Sequence, residues 1–404
     1  MKKPAYLLPV IIVAQFMGTS LWFAGNAVVP DLQQLWGLGI ESIGYVTISV
    51  HLGFIVGTLI FAVLGVADRY SPRKVFFWSC FTGAIANVFI VVLPGDPVSL
   101  MLLRFVTGFF LAGIYPVGMK ITAAWYEKGL GNALGLLVGA LVLGTAFPHL
   151  LRALAISANW EFVLIGTSIM AFIGGLLILL FVPDGPFLAS AAKFNFRAIT
   201  AIFQSRKFRA SALGYFGHMW ELYALWAFLP LWVVAYSIEM PTQVSGQMTT
   251  ADSIDIASNI NVSLWTFVFI AAGVIGCVAG GIISKSRGSD TVAASQLMIS
   301  GTCCILSPLV FTMNIYIFVV FLLIWGITVI GDSPQFSALN AINAPRDLVG
   351  SALTLVNSIG FFISICSIAL MNGLLPYISP GYIFWILVPG PILGLWGLRG
   401  LRER

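Results

Sequence analysis

Four ionisable side chains stand inside stretches that are otherwise almost wholly apolar: Arg104, His218, Glu221 and Asp332. Burying a charge in hydrocarbon costs at least ~2.5–3.5 kcal/mol even on lenient insertion scales, so these residues are the first place to look for chemistry. His218 and Glu221 are three apart, which on a helix puts both side chains on one face. A carboxyl withdrawn from water can take up and release a proton near neutral pH. Glu221 is therefore the candidate proton carrier and His218 a candidate relay; the competing readings of Glu221 are a static pair with Arg104 or a hydrogen-bonded structural acid. Arg104 offers a planar fork suited to carboxylates, phosphates and small oxyanions, and is expected either to contact an anionic ligand or to pair with an embedded acid. Asp332, beside Gly331 and Pro334, is a gate, a second titrating group, or a polar residue facing a watery vestibule. His51 lies in an apolar stretch of the same kind.

The elements that carry these groups are membrane helices. Hydrophobic residues make up 59% of the chain and charged ones 9%, where a soluble domain carries roughly 25% charged residues. A bilayer core takes about 20 apolar residues to cross as a helix. Twelve such crossings are read at 6–29, 42–64, 74–94, 98–121, 130–151, 160–182, 211–236, 260–284, 291–312, 315–341, 348–373 and 379–398. All Lys and Arg except Arg104 and Arg152 fall at the chain ends or in alternate gaps between crossings. Basic side chains resist translocation, so those gaps mark the cytoplasmic side, and both termini are expected there. The pI near 9.0 is then a topology signal, and nucleic-acid binding is not implied because the charge is spread over short loops. The first apolar stretch is expected to be retained rather than cleaved. All five cysteines lie inside these stretches and read as buried small hydrophobes.

The longest polar interruption, 183–210, follows the sixth crossing. It divides the chain into an N-terminal bundle (1–182), a cytoplasmic connector (183–210) and a C-terminal bundle (211–404). At an offset of 218, Gly108, Gly113 and Pro116 in the fourth crossing map onto Gly326, Gly331 and Pro334 in the tenth. Asp68, Arg69 and Ser71 stand where Lys285, Ser286 and Gly288 stand in the second half, and Gly131 to Leu134 match Gly350 to Leu353. Repeated halves with a site between them are an architecture of secondary transporters.

These residues resemble the major facilitator superfamily over essentially the whole chain. The loop from Asp68 through Arg69, Tyr70, Ser71, Pro72, Arg73 and Lys74 is similar to the family's D-R-x-G-x-R-R signature, with Ser71 for the glycine. Arg104 followed by Gly108 resembles the fourth-helix R-x-x-x-G motif, and Trp125, Tyr126 and Gly131 to Gly135 resemble the entry to the fifth helix. Tyr115 to Lys120 is similar to the nitrate/nitrite and cyanate permease branch. Nitrate itself is not carried over, because His51 and an arginine-free eighth crossing stand where nitrate porters use arginines. The resemblance implies an all-α fold of twelve helices in two six-helix repeats, with crossings 1, 4, 7 and 10 lining a cavity. It implies a conformational latch of Asp68, Arg69, Arg73 and Lys74 between the halves; the competing reading is a solvated basic loop.

Trp22, Asn26, Tyr115, Trp226, Gln335 and Asn357 join Arg104 as candidate cavity residues, since amides among aromatic walls suit a small polar organic solute. Interhelical hydrogen bonding is the competing reading for the amides. No G-x4-G-K-[ST] phosphate loop is present, against ATP-driven pumping. The resulting expectation is a secondary transporter of a small organic molecule or anion, coupled to protons, in the inner membrane of a bacterium. It is a monomer with no cofactor or metal, and its partners are solute, protons and lipid. An uncoupled exchanger, a drug or metabolite exporter, and a solute sensor are the alternatives. An enzyme is not expected.

Overall fold

The computed structural model describes residues 4–92, 95–126, 130–155, 159–187, 202–244, 261–345 and 348–402. Among them are twelve helices long and apolar enough to cross a membrane. In chain order they are α1 (Leu7–Trp36), α2 (Ser42–Leu64), α3 (Pro72–Val92), α4 (Pro97–Ala123), α5 (Gly131–Leu154), α6 (Glu161–Phe181), α7 (Arg206–Glu239), α8 (Val262–Arg287), α9 (Ser289–Phe311), α10 (Ile315–Asn343), α11 (Val349–Leu374) and α12 (Pro380–Leu401). Helices satisfy every backbone group internally, which hydrocarbon demands. Their outer faces leave large apolar side chains such as Trp78, Phe89, Ile275 and Trp396 exposed, a surface that suits lipid rather than water. α1 and α7 run longer than their apolar cores alone indicate, to Trp36 and from Arg206. Much of the connector expected at 183–210, residues 188–201, lies outside the described residues.

Six helices pack among themselves in each half. α1 packs on α5 and α6, α2 on α4 and α3 on α6; in the second half α7 packs on α11 and α12, and α8 on α10. The halves meet along two seams, α2 against α11 and α5 against α8.

The internal repeat has a physical cause visible at its glycines. A Cβ on Gly108 would stand 2.0 Å from the carbonyl oxygen of Val50 on α2, and one on Gly326 would stand 2.3 Å from that of Phe269 on α8. A Cβ on Gly113 would strike Ser79 of α3, and one on Gly331 would strike Gln296 of α9. Each pair of matched glycines therefore lets the fourth helix of its half press against the second and third. The matched prolines also act alike. α4 is interrupted between Leu111 and Tyr115, α10 at Asp332, with Pro116 and Pro334 near the start of the following segments, where the missing N–H does no harm. The caps obey the same offset. Asp96 accepts from the N–H of Ser99 at the start of α4, and Asn314 from those of Tyr316 and Ile317 at the start of α10. Hydrogen bonds from Ser99, its side chain foremost, hold the Asp96 carboxyl below the usual range.

α1 is likewise broken, between Thr19 and Ala24. Gly65 closes α2 with φ of 59°, a left-handed position that glycine adopts without strain. Cys80, Cys277, Cys303 and Cys304 are buried free thiols, but Cys366 is exposed. Burial was expected for all five; α11 turns Cys366 outward.

Candidate functional site: an interface cavity and three buried polar clusters

At the end of the bundle remote from the basic loops, a cavity of about 600 Å³ lies between the halves. The N-terminal half lines it with Asn26, Asp31, His149 and Arg152, and the C-terminal half with Pro230, Leu231, Asn261 and Thr266. Of the expected cavity residues, Asn26 lines it. Its Nδ2 donates to Thr47 Oγ1 at 2.6 Å.

One turn inward from Asn26 the halves are closed on each other by aromatic rings. Trp22 stacks on Tyr223 (centroids 5.9 Å) and on Phe361 (5.6 Å). His51 meets Tyr223 edge-on at 4.6 Å and Phe361 at 5.2 Å, and Trp226 packs edge-on against Tyr223 at 5.5 Å and Phe23 at 6.0 Å. Trp22, His51 and Trp226 are buried, and the indole N–H groups and both imidazole nitrogens have no partner among the described residues. Phe361 and Phe54 complete this layer without any signal in the sequence, since a phenylalanine in an apolar helix looks like all the others.

Arg104 is fully buried and belongs to a different structure. Its Nη2 donates to the carbonyls of Leu21 (3.1 Å) and Trp22 (2.5 Å), and its Nη1 to Asn87 Oδ1 at 3.1 Å. The guanidinium thus serves carbonyls left open where α1 is interrupted, and it faces neither Glu221 nor the cavity. Asn87 in turn donates to Leu164 O, Thr167 and Ser168 of α6.

Glu221 is buried inside the C-terminal half. Ser300 Oγ donates to Oε2 at 3.0 Å, while Trp325 Nε1 at 3.0 Å and Cys304 Sγ at 3.3 Å donate to Oε1. All three partners are neutral. The static pair of Glu221 with Arg104 does not form, because each has other partners on opposite sides of the interface. The indole beside Glu221 is Trp325, whereas Trp226 has turned to the aromatic layer; sequence distance along α7 could not separate these two tryptophans.

His218 faces Asp332 rather than Glu221, with Nδ1 2.8 Å from Oδ1 and both side chains 1% exposed. Asp332 occupies the interruption of α10, where its carbonyl accepts from the N–H groups of Gln335 and Phe336. Gln335 is buried beyond that break, while Tyr115 and Asn357 are half-buried; none of the three lines the cavity.

The loop between α2 and α3 makes its contacts with its own half and with the start of the connector. Lys120 of α4 bonds Asp68 Oδ1 and, at 2.8 Å, the carbonyl of Ala67. Ser71 Oγ donates to Asp184 Oδ1 at 2.8 Å, with Arg73 Nε 3.8 Å from the same carboxylate. Among the described residues neither Arg69 nor Lys74 forms an ion pair. Among the described residues no bridge runs from Asp68 to the facing half.

Two six-helix halves around an interface cavity define a membrane transporter. The family model of the Major Facilitator Superfamily matches residues 10–369, and the chain belongs to that family. It is a multi-pass membrane protein of a family whose members are transporters and not enzymes. The chain is similar to a probable galactarate/D-glucarate transporter, GarP, of Escherichia coli (strain K12), at 29% identity over 163 residues, 38% of this chain and 35% of that protein. It is similar to a second, GudP of the same strain, at 26% over 42% of this chain and 38% of that one. A Pseudomonas putida GudP is 26% identical over 31% of this chain and 29% of its own length. The chain thus spans 29–38% of the length of these relatives.

Proposed function

We propose that this chain is a proton-coupled carrier of a small hydroxylated organic acid, working by alternating access. The observation that carries the mechanism is a cavity between the halves that is shut off from the basic-loop side by the layer of Trp22, Tyr223 and Phe361. One-sided access to a central interface is what a rocking pair of bundles requires. The N-terminal bundle (1–182) and C-terminal bundle (211–404) are the two moving bodies and 183–210 their cytoplasmic tether.

The substrate class is supported by the names of the relatives, probable galactarate/D-glucarate transporters, in place of the nitrate/nitrite and cyanate branch. The polar lining of Asn26, Arg152, Asn261 and Thr266 suits hydroxyl and carboxylate groups. Proton coupling is supported by Glu221, which no cation faces among the described residues, so that it can gain or lose a proton without breaking an ion pair; the pair of His218 and Asp332 stands one turn away as a relay.

Uptake of labelled galactarate and D-glucarate into proteoliposomes, with and without an imposed pH gradient, tests this reading. Accumulation above equilibrium only with the gradient is the expected result. Equilibration insensitive to pH would make the protein an uncoupled exchanger, and no uptake of either acid would remove the organic-acid reading. Orientation is tested separately: in a Cys-less background, cysteines at Ser286 and Tyr377 are expected to react with impermeant reagent from opposite faces, Tyr377 from outside.

A further inference from the structure

We infer that Arg152, with His149 and Asn26, forms a carboxylate-binding subsite in the outer cavity, and that Asp31 occupies it as an internal stand-in for a substrate carboxylate. The inference rests on the organic-acid reading above and gives a role to Arg152, His149 and Asp31, which the sequence alone left without one.

Arg152 lies in the last turn of α5 and holds Asp31 of α1 by two bonds, Nε to Oδ2 at 3.0 Å and Nη2 to Oδ1 at 2.7 Å. That two-point geometry is the one a free carboxylate adopts on a guanidinium. The side chains are 27% and 22% exposed, so the pair can be reached from the cavity, which an exchange of one carboxylate for another requires. These two residues are the charged members of the cavity lining. While they bind each other the cavity is electrically neutral, and an entering anion meets a cation only by replacing Asp31 or by sharing the fork with it. The fork has capacity to share: it carries five N–H groups, two of which serve Asp31, and Nη1 has only a long 3.4 Å contact to the carbonyl of Ala155.

The second observation is a pair of polar atoms left without partners in the same lining. His149, three residues before Arg152 and on the same face of α5, is 2% exposed, and its Nε2 has no partner among the described residues. Asn26 Oδ1 is unpartnered as well. Buried polar atoms of this kind in native proteins normally have a hydrogen-bond partner, and both line the cavity that holds Arg152. A hydroxy acid supplies the missing set: a carboxylate for the guanidinium and the imidazole, and a hydroxyl for the amide oxygen. The subsite also adjoins the seam between the halves, since Asn261, the cap of α8, donates to the carbonyl of Ala153 at 3.3 Å.

The experiment measures equilibrium binding of galactarate and of the uncharged hexitol galactitol to the purified full chain in nanodiscs, for wild type, Asp31→Asn and Arg152→Gln. Removing the competing carboxylate is expected to tighten galactarate binding about threefold or more, and Arg152→Gln to weaken it at least tenfold. Galactitol binding should respond to neither change. A static strut between α1 and α5 predicts instead that both substitutions weaken binding or leave it alone, and either result overturns the subsite. Should Arg152→Gln fail to fold, the direction of the Asp31→Asn shift decides alone. Wild type that binds neither probe overturns the organic-acid reading, and the subsite with it. Wild type that binds galactarate without the opposed shifts overturns the subsite only.

Discussion

Arg104 donates to the carbonyl oxygen of Trp22 at 2.5 Å, which ties α4 to the interruption of α1 directly behind the aromatic layer. A lysine keeps the charge but presents a single donor centre and cannot reach Leu21, Trp22 and Asn87 together. Arg104→Lys is therefore expected to destabilise the fold by about 1.5–3 kcal/mol, the range for hydrogen bonds to a charged group. Denaturant unfolding in detergent measures it, and unchanged stability would show the fork to be dispensable.

The matched glycines allow a prediction across the repeat. Alanine at Gly108 or Gly326 would drive a methyl into a facing carbonyl, and overpacking of this kind costs typically about 1–3 kcal/mol. Both variants should lose stability to a similar degree, whereas Gly350→Ala, with open space around it, should lose little. Thermal unfolding of the three variants side by side provides the check.

Glu221→Gln is expected to abolish accumulation of solute driven by a pH gradient while exchange across proteoliposomes survives, because the amide mimics the protonated acid. A variant that still concentrates solute would move the role to Asp332. Inability of the variant to fold would mark the carboxylate as structural, held by Ser300, Cys304 and Trp325.

Asp68→Asn should change the rate of transport and leave equilibrium solute affinity within a few-fold, as expected of a shifted conformational equilibrium. Because Asp68 bonds Lys120, Lys120→Gln should reproduce the effect and the double variant should add little to either. Additive losses would dissolve the pairing.

The sequence by itself determined the membrane class, the twelve helices and the repeat. Apolar length and basic-residue spacing act locally, and a helix in hydrocarbon forms wherever about 20 apolar residues run together. It also singled out the buried groups that matter, because a charge in an apolar stretch stands out whatever it touches. What it could not give was the partner of each. Glu221 and His218 share a face of α7, yet one bonds α9 and α10 while the other meets Asp332. Arg104 was expected to meet an anion or an embedded acid, and the break in α1 gave it carbonyls instead. Asp31 and Arg152 lie 121 positions apart and were drawn together only when α1 packed on α5. Which residues of an apolar helix face lipid, core or cavity is set by how twelve similar cylinders pack. Nothing in the local pattern of residues encodes that choice.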